Sequence, residues 1–329
     1  MTHLDDRMLL ADLDTTPHDE LPDTVSLPRR ILARIPELEG LRARIAGQLF
    51  GVDLPAPRIG RFRLQEKLGE GGMGQVFAAH DDTLDRRVAV KILQAERLAT
   101  RDGRARMLRE AQALARLSHP NVVQIFEVGE HDDQIYVAME LVDGIDLARW
   151  LTREPRSWRA VLSIFIAAGH GLQAAHEAGL VHRDFKPANV IVGADGRARV
   201  LDFGLARAAQ TISDPTAAAH TTSPILHDQL TMTGAVHGTP VYLAPELLSD
   251  HRADARADQY AFCVALYEGL HGVRPHRADT LGALTRAKLR GDILPPPAGS
   301  RVPAWLHAAV LRGLAVDPGQ RWPSMRALL

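Results

Sequence analysis

The stretch "LVHRDFKPANVIV" (residues 180–192) holds five polar side chains in a short loop between two apolar runs. Two strands joined by an ordinary turn would not need Asp184, Lys186 and Asn189 together. A second loop, "VLDFGLA", places Asp202 directly after another apolar run. A lone aspartate in such a position is most often a turn former, but two acidic groups and an amide on neighbouring loops can hold a divalent cation and a hydroxyl nucleophile. The pattern predicts one polar site shared by the two loops.

The composition is that of a globular chain without a charge bias. The chain has 329 residues, of which 46% are hydrophobic and 24% charged, and its net charge is -1. This length favours two lobes or domains, and the lack of a basic field predicts no binding to nucleic acid. The single cysteine, Cys263, excludes an internal disulfide framework and lies in an apolar run, so we expect a buried thiol.

No segment of the sequence is typical of a membrane span or a signal peptide. The longest apolar segment, residues 160–181, is interrupted by histidine, glutamine and glutamate residues, which favours a buried helix. The N-terminus is acidic and lacks the basic-then-apolar order of a signal peptide. We therefore expect a cytoplasmic protein, or the cytoplasmic part of a longer membrane-anchored one.

Regions of different character follow one another along the chain. Residues 1–60 form an N-terminal extension that we expect to be partly disordered, with an amphipathic helix at 28–50 that packs on its own domain or, alternatively, binds a partner or a membrane surface. Residues 61–142 carry short strand-like runs that predict an antiparallel meander, together with one helical segment. Residues 143–329 are mostly helical, and the Ala/Thr/Ser-rich segment 208–230 predicts a mobile loop.

A glycine-rich run and a lysine in an apolar strand add to the polar loops. "LGEGGMGQV" places Gly69, Gly71 and Gly74 between two strand-like pieces, where missing Cβ atoms would let backbone N–H groups approach a phosphate. A glycine-rich hairpin turn is the alternative. Lys91 lies inside the apolar strand "VAVKIL", and burying an unpaired ammonium is costly. Its side chain either faces outwards or pairs with a carboxylate, for which Glu110 on the following helix is a candidate.

In this order the motifs resemble the eukaryotic-like Ser/Thr protein kinases that are also found in bacteria. The resemblance runs from about Phe62 to the C-terminus and rests on "GEGGMG", "VAVK", "HRDFKPAN", "DFG", "GTPVYLAPE", "DQYAF" and "DPGQRW". One such match is weak, whereas seven in the family's order are specific. The resemblance implies an α+β, two-lobed protein-kinase-like fold, with a small β-rich N-lobe (61–142) that contains one main helix and a larger, mainly helical C-lobe (143–329).

The resemblance also implies a role for each catalytic residue. Asp184 would accept or orient the proton of the substrate hydroxyl, and Lys186 would neutralise the transferred γ-phosphoryl group. Lys91 would contact the α- and β-phosphates of ATP and would pair with Glu110. Asn189 would complete this catalytic set.

The binding site for ATP and its metal ions follows from the same resemblance. Asn189 and Asp202 would hold Mg²⁺, with Mn²⁺ as an alternative. Met139 would be the gatekeeper of the adenine pocket, and the backbone of Glu140 and Val142 would face the adenine edge. The nucleotide-binding residues that the resemblance implies are Leu68, Gly69, Glu70, Gly71, Gly72, Gly74, Val76, Ala89, Lys91, Met139, Glu140, Val142, Ile191 and Asp202.

The sequence also bears on the substrate. Lys186 and Thr239, the latter in "GTPVYLAPE", match the Ser/Thr pattern of the family, and the same segment favours protein substrates over small molecules. Glu246 is expected to pair with Arg321. Asp258 is expected to anchor the backbone of residues 182–189, the loop that carries Asp184, Lys186 and Asn189 (the catalytic loop). The alternatives are a pseudokinase or scaffold, which usually lacks one of the charged catalytic residues that are all present here, and a small-molecule phosphotransferase.

Arg183 predicts how the activity is regulated. In the family, an arginine directly before the catalytic aspartate accompanies control by phosphorylation of the activation loop. Thr231 and Thr233 are the candidate phosphorylated residues, and Thr239 is a further regulatory position; ordinary polar loop residues are the alternative. Phosphorylation in trans would require self-association. The insertion around 208–230 leaves the choice of threonine open, and residues 1–60 have no counterpart in the family core. The sequence stops at "SMRALL", inside what should be the last helix of the C-lobe, so we expect the chain to be one piece of a longer protein.

Overall fold

The computed structural model of the chain describes six stretches: residues 56–71, 74–93, 101–132, 134–203, 239–249 and 254–329. Residues 58–329 belong to one compact unit. The predicted helix at 28–50, the predicted loop at 208–230, Gly72, Thr231 and Thr233 lie outside the described residues.

A six-stranded antiparallel sheet makes up most of the N-terminal lobe. Its strands are β1 Arg58–Ile59, β2 Phe62–Gly71, β3 Gly74–Asp81, β4 Arg86–Leu93, β5 Ile125–His131 and β6 Gln134–Glu140. They lie in the order β1-β2-β3-β4-β6-β5. The predicted meander is confirmed for β2, β3 and β4. Strand β6, and not β5, lies next to β4, so β5 forms the edge of the sheet. The helical connection after β4 leads the chain to this edge position, and the chain then returns as β6 to pair with β4.

The helix of this lobe, α1 (Arg101–Ala115), packs through one face. Met107, Ala111 and Leu114 are buried and lie three or four residues apart, which is the spacing of a single helix face. Strand β4 is buried from Val88 to Leu93, as is typical of a strand that is covered on both sides. Lys91 lies within this buried run, so its ammonium needs a partner of opposite charge.

The C-terminal lobe is built around one central helix. Its helices are α2 Leu147–Arg153, α3 Trp158–Glu177, α4 Ala255–His271, α5 Leu281–Arg290, α6 Ala304–Gly313 and α7 Met325–Leu328. Every residue of α4 from Ala257 to Tyr267 is buried, so this helix contacts protein on all sides. The side chain of Asp254 caps its N-terminus, and Gly272 ends it with a φ of 68°. Cys263 lies in the buried run, as expected, and burial raises the pKa of its thiol to about 12.

The apolar segment at 160–181 forms most of α3, as expected for a buried helix. Residues on its buried face, spaced three or four apart, include Val161, Phe165, Ala168, Leu172 and Ala175. Among the residues that the structure describes, no helix is long and apolar enough to cross a membrane.

A three-stranded sheet brings the two polar loops together. It consists of β7 Gly144–Asp146, β8 Val190–Gly193 and β9 Ala198–Val200, with β8 in the middle. The loop that carries Asp184 leads into the start of β8, and Asp202 follows the end of β9. Because β8 and β9 are antiparallel, the start of one and the end of the other lie at the same end of the sheet. The backbone N–H of Leu201 donates to the carbonyl oxygen of Asn189 at 3.0 Å and connects the two loops.

A buried ion pair ties the end of the chain to the segment before α4. Arg321 donates to both carboxylate oxygens of Glu246, each at 2.7 Å. The Arg321 side chain is fully buried, so the pair is desolvated, and the guanidinium also donates to the carbonyl oxygens of Ala315, Val316 and Arg256. The predicted Glu246–Arg321 contact is confirmed.

Candidate active site

Asp258 on α4 holds the backbone of the loop that carries the predicted catalytic residues. Its carboxylate accepts hydrogen bonds from the backbone N–H groups of His182 and Arg183, both at 2.7 Å, and its Oδ2 lies 2.8 Å from His176 Nε2. Arg183 has a φ of 64°, a conformation that costs free energy for a non-glycine residue and needs such support. The expected anchoring role of Asp258 is confirmed.

His182 is fully buried and links the two polar loops. Its ring centroid lies 4.7 Å from that of Phe203, and its Nε2 lies 2.9 Å from the carbonyl oxygen of Leu201. Burial lowers the pKa of this imidazole, so the ring stays neutral and donates its Nε2–H to that carbonyl. His182 is therefore part of the packing between the loops.

Asp184, Lys186 and Asn189 meet around one carboxylate. Lys186 Nζ donates to Asp184 Oδ2 at 2.8 Å. Asn189 Nδ2 donates to the backbone carbonyl oxygen of Asp184 at 2.8 Å and lies 3.3 Å from its Oδ2. The aspartate and the asparagine are buried, whereas the lysine is partly exposed. The loop thus brings an acidic group, an ammonium and an amide within hydrogen-bonding distance.

Lys91 and Asp202 form an ion pair between the lobes. The distance from Lys91 Nζ to Asp202 Oδ1 is 2.6 Å, and the side chains are 8% and 30% exposed. Asp202 also has a positive φ, 58°, which turns the chain sharply after β9 at some cost in free energy. The pair places the lysine of β4 directly over the loop that follows β9.

The predicted Lys91–Glu110 pair is not formed in this structure, and each of the two residues has another partner. Glu110 on α1 instead accepts from Arg183, whose Nη1 lies 3.3 Å from Oε1 and 3.5 Å from Oε2. The two charges have different partners. Asp202 compensates the Lys91 ammonium, and the Arg183 guanidinium lies within reach of the Glu110 carboxylate. The four groups form two pairs that share no member.

The predicted adenine-pocket residues lie on one face of the N-lobe sheet. Val76 is paired with Lys91 across β3 and β4, and Ala89 with Met139 across β4 and β6. Residues directly opposite each other share a face, as do residues two apart in one strand, such as Ala89 and Lys91. Gly69 is opposite Val76 on β2. The face that carries the lysine therefore also carries these four residues.

The glycines at the corner of β2 and β3 differ in the space that is available for a Cβ atom. A Cβ added at Gly69 or Gly71 would meet no atom within 4 Å, so the space beside these residues is open. Gly74 has a φ of 138°, and a Cβ there would lie 1.9 Å from the carbonyl oxygen of Ile92. Only glycine fits that position, whereas the first two glycines are not required by the packing.

The remaining predicted nucleotide-binding residues that the structure describes lie on β2, in the hinge and on β8. Leu68 is 48% exposed at the edge of β2, and Glu70 pairs with Lys67 at 2.6 Å. Val142 lies in the hinge between β6 and β7, and Ile191 lies on β8; both are partly buried.

An ion-pair network at the hinge was not predicted from the sequence. Arg199 Nε lies 3.1 Å from Glu140 Oε1, and Arg199 Nη2 lies 2.7 Å from Asp195 Oδ2. The guanidinium holds the pKa of the Asp195 carboxyl well below its usual range. The network ties the hinge residue to the small sheet of the C-lobe. In the sequence, an arginine within "ARV" gives no signal of this, because it looks like any outward-facing strand residue.

The segment 239–249 lies against the catalytic loop. A small cavity is lined by Asp184 together with Tyr242 and Leu243. Thr239 begins a 3-10 turn at the start of this segment.

Comparisons with known proteins match this architecture. A model of the protein kinase domain family matches residues 62–328. The serine/threonine-protein kinases PknE and PknH of Mycobacterium bovis are each 38% identical to this chain, over 268 and 269 residues. The solved kinase domain of Mycobacterium tuberculosis PknI matches with a TM-score of 0.60 at 27% identity and covers 84% of this chain and 96% of that chain.

The chain belongs to the protein kinase family. Its named relatives place it with the eukaryotic-like Ser/Thr protein kinases of bacteria, and the two-lobed α+β fold expected from the sequence is confirmed. The alignments cover 80% and 81% of this chain but only 44% and 42% of PknE and PknH. The chain thus spans less than half the length of these curated relatives.

Proposed function

We propose that this protein transfers the γ-phosphoryl group of ATP to serine and threonine hydroxyls of protein substrates. The observation that carries the proposal is the arrangement around Asp184: Lys186 and Asn189 lie within hydrogen-bonding distance of it, and Asp202, ion-paired with Lys91, lies on the adjoining loop. The names of the relatives, which are serine/threonine-protein kinases, support the same reaction.

The acceptor hydroxyl is activated by Asp184. Its carboxylate accepts the hydroxyl proton as the new O–P bond forms and the bond between the β- and γ-phosphates breaks. Lys186, which already donates to Asp184 Oδ2 at 2.8 Å, sets a positive charge beside the transferred group. The barrier falls mainly through positioning and charge neutralisation, and both depend on the backbone contacts of Asp258.

The donor set of the site fits a hard divalent cation. Asn189 uses its side-chain nitrogen on Asp184, which leaves its side-chain oxygen as the atom for a cation, and Asp202 adds a carboxylate. Oxygen ligands of this kind suit Mg²⁺, with Mn²⁺ as an alternative. The metal, when bound, would neutralise charge on the phosphate chain. We expect Lys91 to exchange its contact with Asp202 for the phosphates and for Glu110.

Nucleotide binding is assigned to the face of the N-lobe sheet that carries Lys91. Val76, Ala89 and Met139 on this face would enclose the adenine ring, with Ile191 below it. The backbone of the hinge, whose Glu140 is held by Arg199 at 3.1 Å, would meet the adenine edge. Gly69 and Gly71 would leave room for the phosphates.

Activation is proposed to depend on phosphorylation of Thr231 or Thr233. A phosphothreonine carries about two negative charges and would compete with Glu110 for the guanidinium of Arg183. Release of Glu110 would then allow it to pair with Lys91. Thr239 is expected to stand beside the catalytic aspartate. Self-association of the protein would allow this phosphorylation in trans.

The location of the activity is proposed on similar grounds. A buried single thiol is compatible with a reducing compartment, so we place catalysis in the cytoplasm. The domain would work there either by itself or as the cytoplasmic part of a longer, membrane-anchored protein.

The decisive test is phosphate transfer in parallel from the wild type and from Asp184→Asn. Each is incubated with labelled ATP, Mg²⁺ and a generic protein substrate, and phosphoserine and phosphothreonine are quantified. We expect the variant to lose activity by about 10²–10⁴-fold while its thermal unfolding is unchanged, because asparagine keeps the shape of the side chain. Transfer by the wild type that does not exceed that of the variant would favour a nucleotide-binding scaffold. Transfer to small molecules alone would favour the small-molecule phosphotransferase.

A further inference from the structure

Lys288, near the end of α5, is the most deeply buried lysine of the described residues, with 0% of its surface exposed. Burying an ammonium is costly unless all its protons are bonded. Its Nζ lies 3.2 Å from the carbonyl oxygen of Pro240, 2.6 Å from that of Val241 and 2.5 Å from that of Leu243. An ammonium has three donors, and here each of them has its own acceptor.

The three carbonyls belong to the segment that faces the catalytic loop. Leu243 and its neighbour Tyr242 line a small cavity together with Arg183, Asp184 and Phe185. Carbonyl groups within a few residues of one another repel each other when they converge, so this backbone shape needs a donor at the point of convergence. Lys288 supplies it from a different helix.

The charged and titratable groups around Lys288 have hydrogen-bonding partners of their own. Glu246, the carboxylate whose charge acts on Lys288, is already bonded through both oxygens to Arg321 at 2.7 Å. The ring of Tyr260 lies 5.4 Å from Nζ, and neutral His276 is bonded to that tyrosine and to the carbonyl oxygen of Asp292, both at 2.8 Å. The converging carbonyls are thus the main compensation for the charge.

We infer that Lys288 is a positioning residue for the protein substrate: it fixes the backbone of residues 240–243 in the shape that receives the polypeptide on either side of the acceptor hydroxyl. It does not touch the reacting atoms. The inference rests on the proposed function, because a protein must be the acceptor for this surface to matter.

The protonation state of Lys288 is expected to affect binding of the protein substrate. Burial lowers the pKa of this ammonium to about 7, and Glu246 opposes the shift. The charged form donates three hydrogen bonds, whereas the neutral amine donates two and turns its lone pair towards the third carbonyl. Binding of the protein substrate should therefore weaken as the pH rises through this value, even in the wild type.

Lys288→Met tests the role, because methionine has a similar length but no donor. The matched control is Arg286→Met, which removes an exposed cation from the same helix. We expect Lys288→Met to raise the KM for a peptide substrate by about tenfold or more. The KM for ATP and the slow hydrolysis of ATP without peptide should stay within about twofold of the wild type, because they do not use this segment. Lys288→Arg should recover part of the peptide affinity.

The outcomes separate this inference from the proposed function. If the wild type transfers no phosphate to proteins, the proposed function itself fails. If the wild type is active but the peptide KM of Lys288→Met equals that of the wild type, or ATP hydrolysis falls in parallel with peptide phosphorylation, the positioning role is refuted. If Lys288→Met does not fold, the wild-type peptide KM is measured from about pH 6 to about pH 9 with a peptide that has no titrating group in this range. A rise above about pH 7 supports the role, and a flat profile overturns it.

Discussion

At the scale of single residues, the site contains two ion pairs whose partners are proposed to exchange on activation. Lys91 and Asp202 are paired at 2.6 Å, and Glu110 and Arg183 at 3.3 Å. Catalysis as proposed needs Lys91 on the nucleotide and on Glu110, so both pairs must open together. An arginine that holds Glu110 in one state and a phosphothreonine in the other would link phosphorylation to this exchange.

Arg183→Gln should therefore uncouple activity from phosphorylation. We compare kcat/KM for a peptide before and after incubation with ATP, starting from phosphatase-treated protein. The wild type should be activated by incubation, whereas the ratio for the variant should fall to within about twofold of one, because glutamine carries no charge to bind a phosphate. Arg197→Gln, which removes an exposed arginine of a nearby turn, is the control. Full activation of Arg183→Gln would exclude the exchange of partners.

The partners of these charges could not be predicted from the sequence, although the residues could. Asp184, Lys186 and Asn189 are close along the chain, and their meeting follows from a short loop between a helix and a strand. Lys91 and Asp202 are 111 positions apart, and two carboxylates were open to the lysine. Which one it reaches depends on where α1 lies relative to the sheet, and a one-dimensional pattern does not contain that.

At the scale of elements, the glycines at the corner of β2 and β3 have different roles. Gly74 is required by packing, whereas Gly71 is proposed to leave room for a phosphate. Gly74→Ala should destabilise the N-lobe by about 2 kcal/mol or more, because the left-handed backbone and the Ile92 carbonyl both oppose a Cβ. Gly71→Ala should leave the thermal unfolding unchanged, since its Cβ would meet nothing within 4 Å. Its KM for ATP should nevertheless rise about fivefold, because the methyl group would stand where a phosphate approaches. Thermal unfolding and ATP kinetics are measured on both variants. An unchanged KM in Gly71→Ala would argue against a phosphate at this corner.

Strand bounds were more predictable than strand order. The runs "GQVFAAHD" and "RRVAVKIL" match β3 and β4 from end to end, because glycine and aspartate turns bracket residues that favour strands. That β6 and not β5 lies beside β4 could not be deduced from local pattern, since both runs have similar composition. The pairing decides which residues share the face of Lys91, so it also decides which residues form the proposed nucleotide site.

At the scale of the whole molecule, the C-lobe encloses several neutral histidines. His276 is 4% exposed and bonded to Tyr260 and to the carbonyl oxygen of Asp292. Burial lowers its pKa from 6.5 to about 4, and burial also lowers the pKa of His182. Such groups favour folding only while they remain neutral, so they link the stability of the domain to pH.

The free energy of unfolding should therefore fall as the pH drops from 6.5 to about 4. In this window the unfolded chain binds a proton at His276 and the folded chain does not, so acid favours unfolding; above 6.5 and below about 4 this group contributes no slope. At about 1.4 kcal/mol per pKa unit, its share approaches about 3 kcal/mol. Urea unfolding at a series of pH values measures the slope for the wild type and for His276→Gln, which should be less steep. His170→Gln, which removes an exposed histidine, should keep the wild-type slope. Equal slopes for His276→Gln and the wild type would mean that His276 is protonated in the folded state, and the hydrogen-bond network of the C-lobe would need a different assignment.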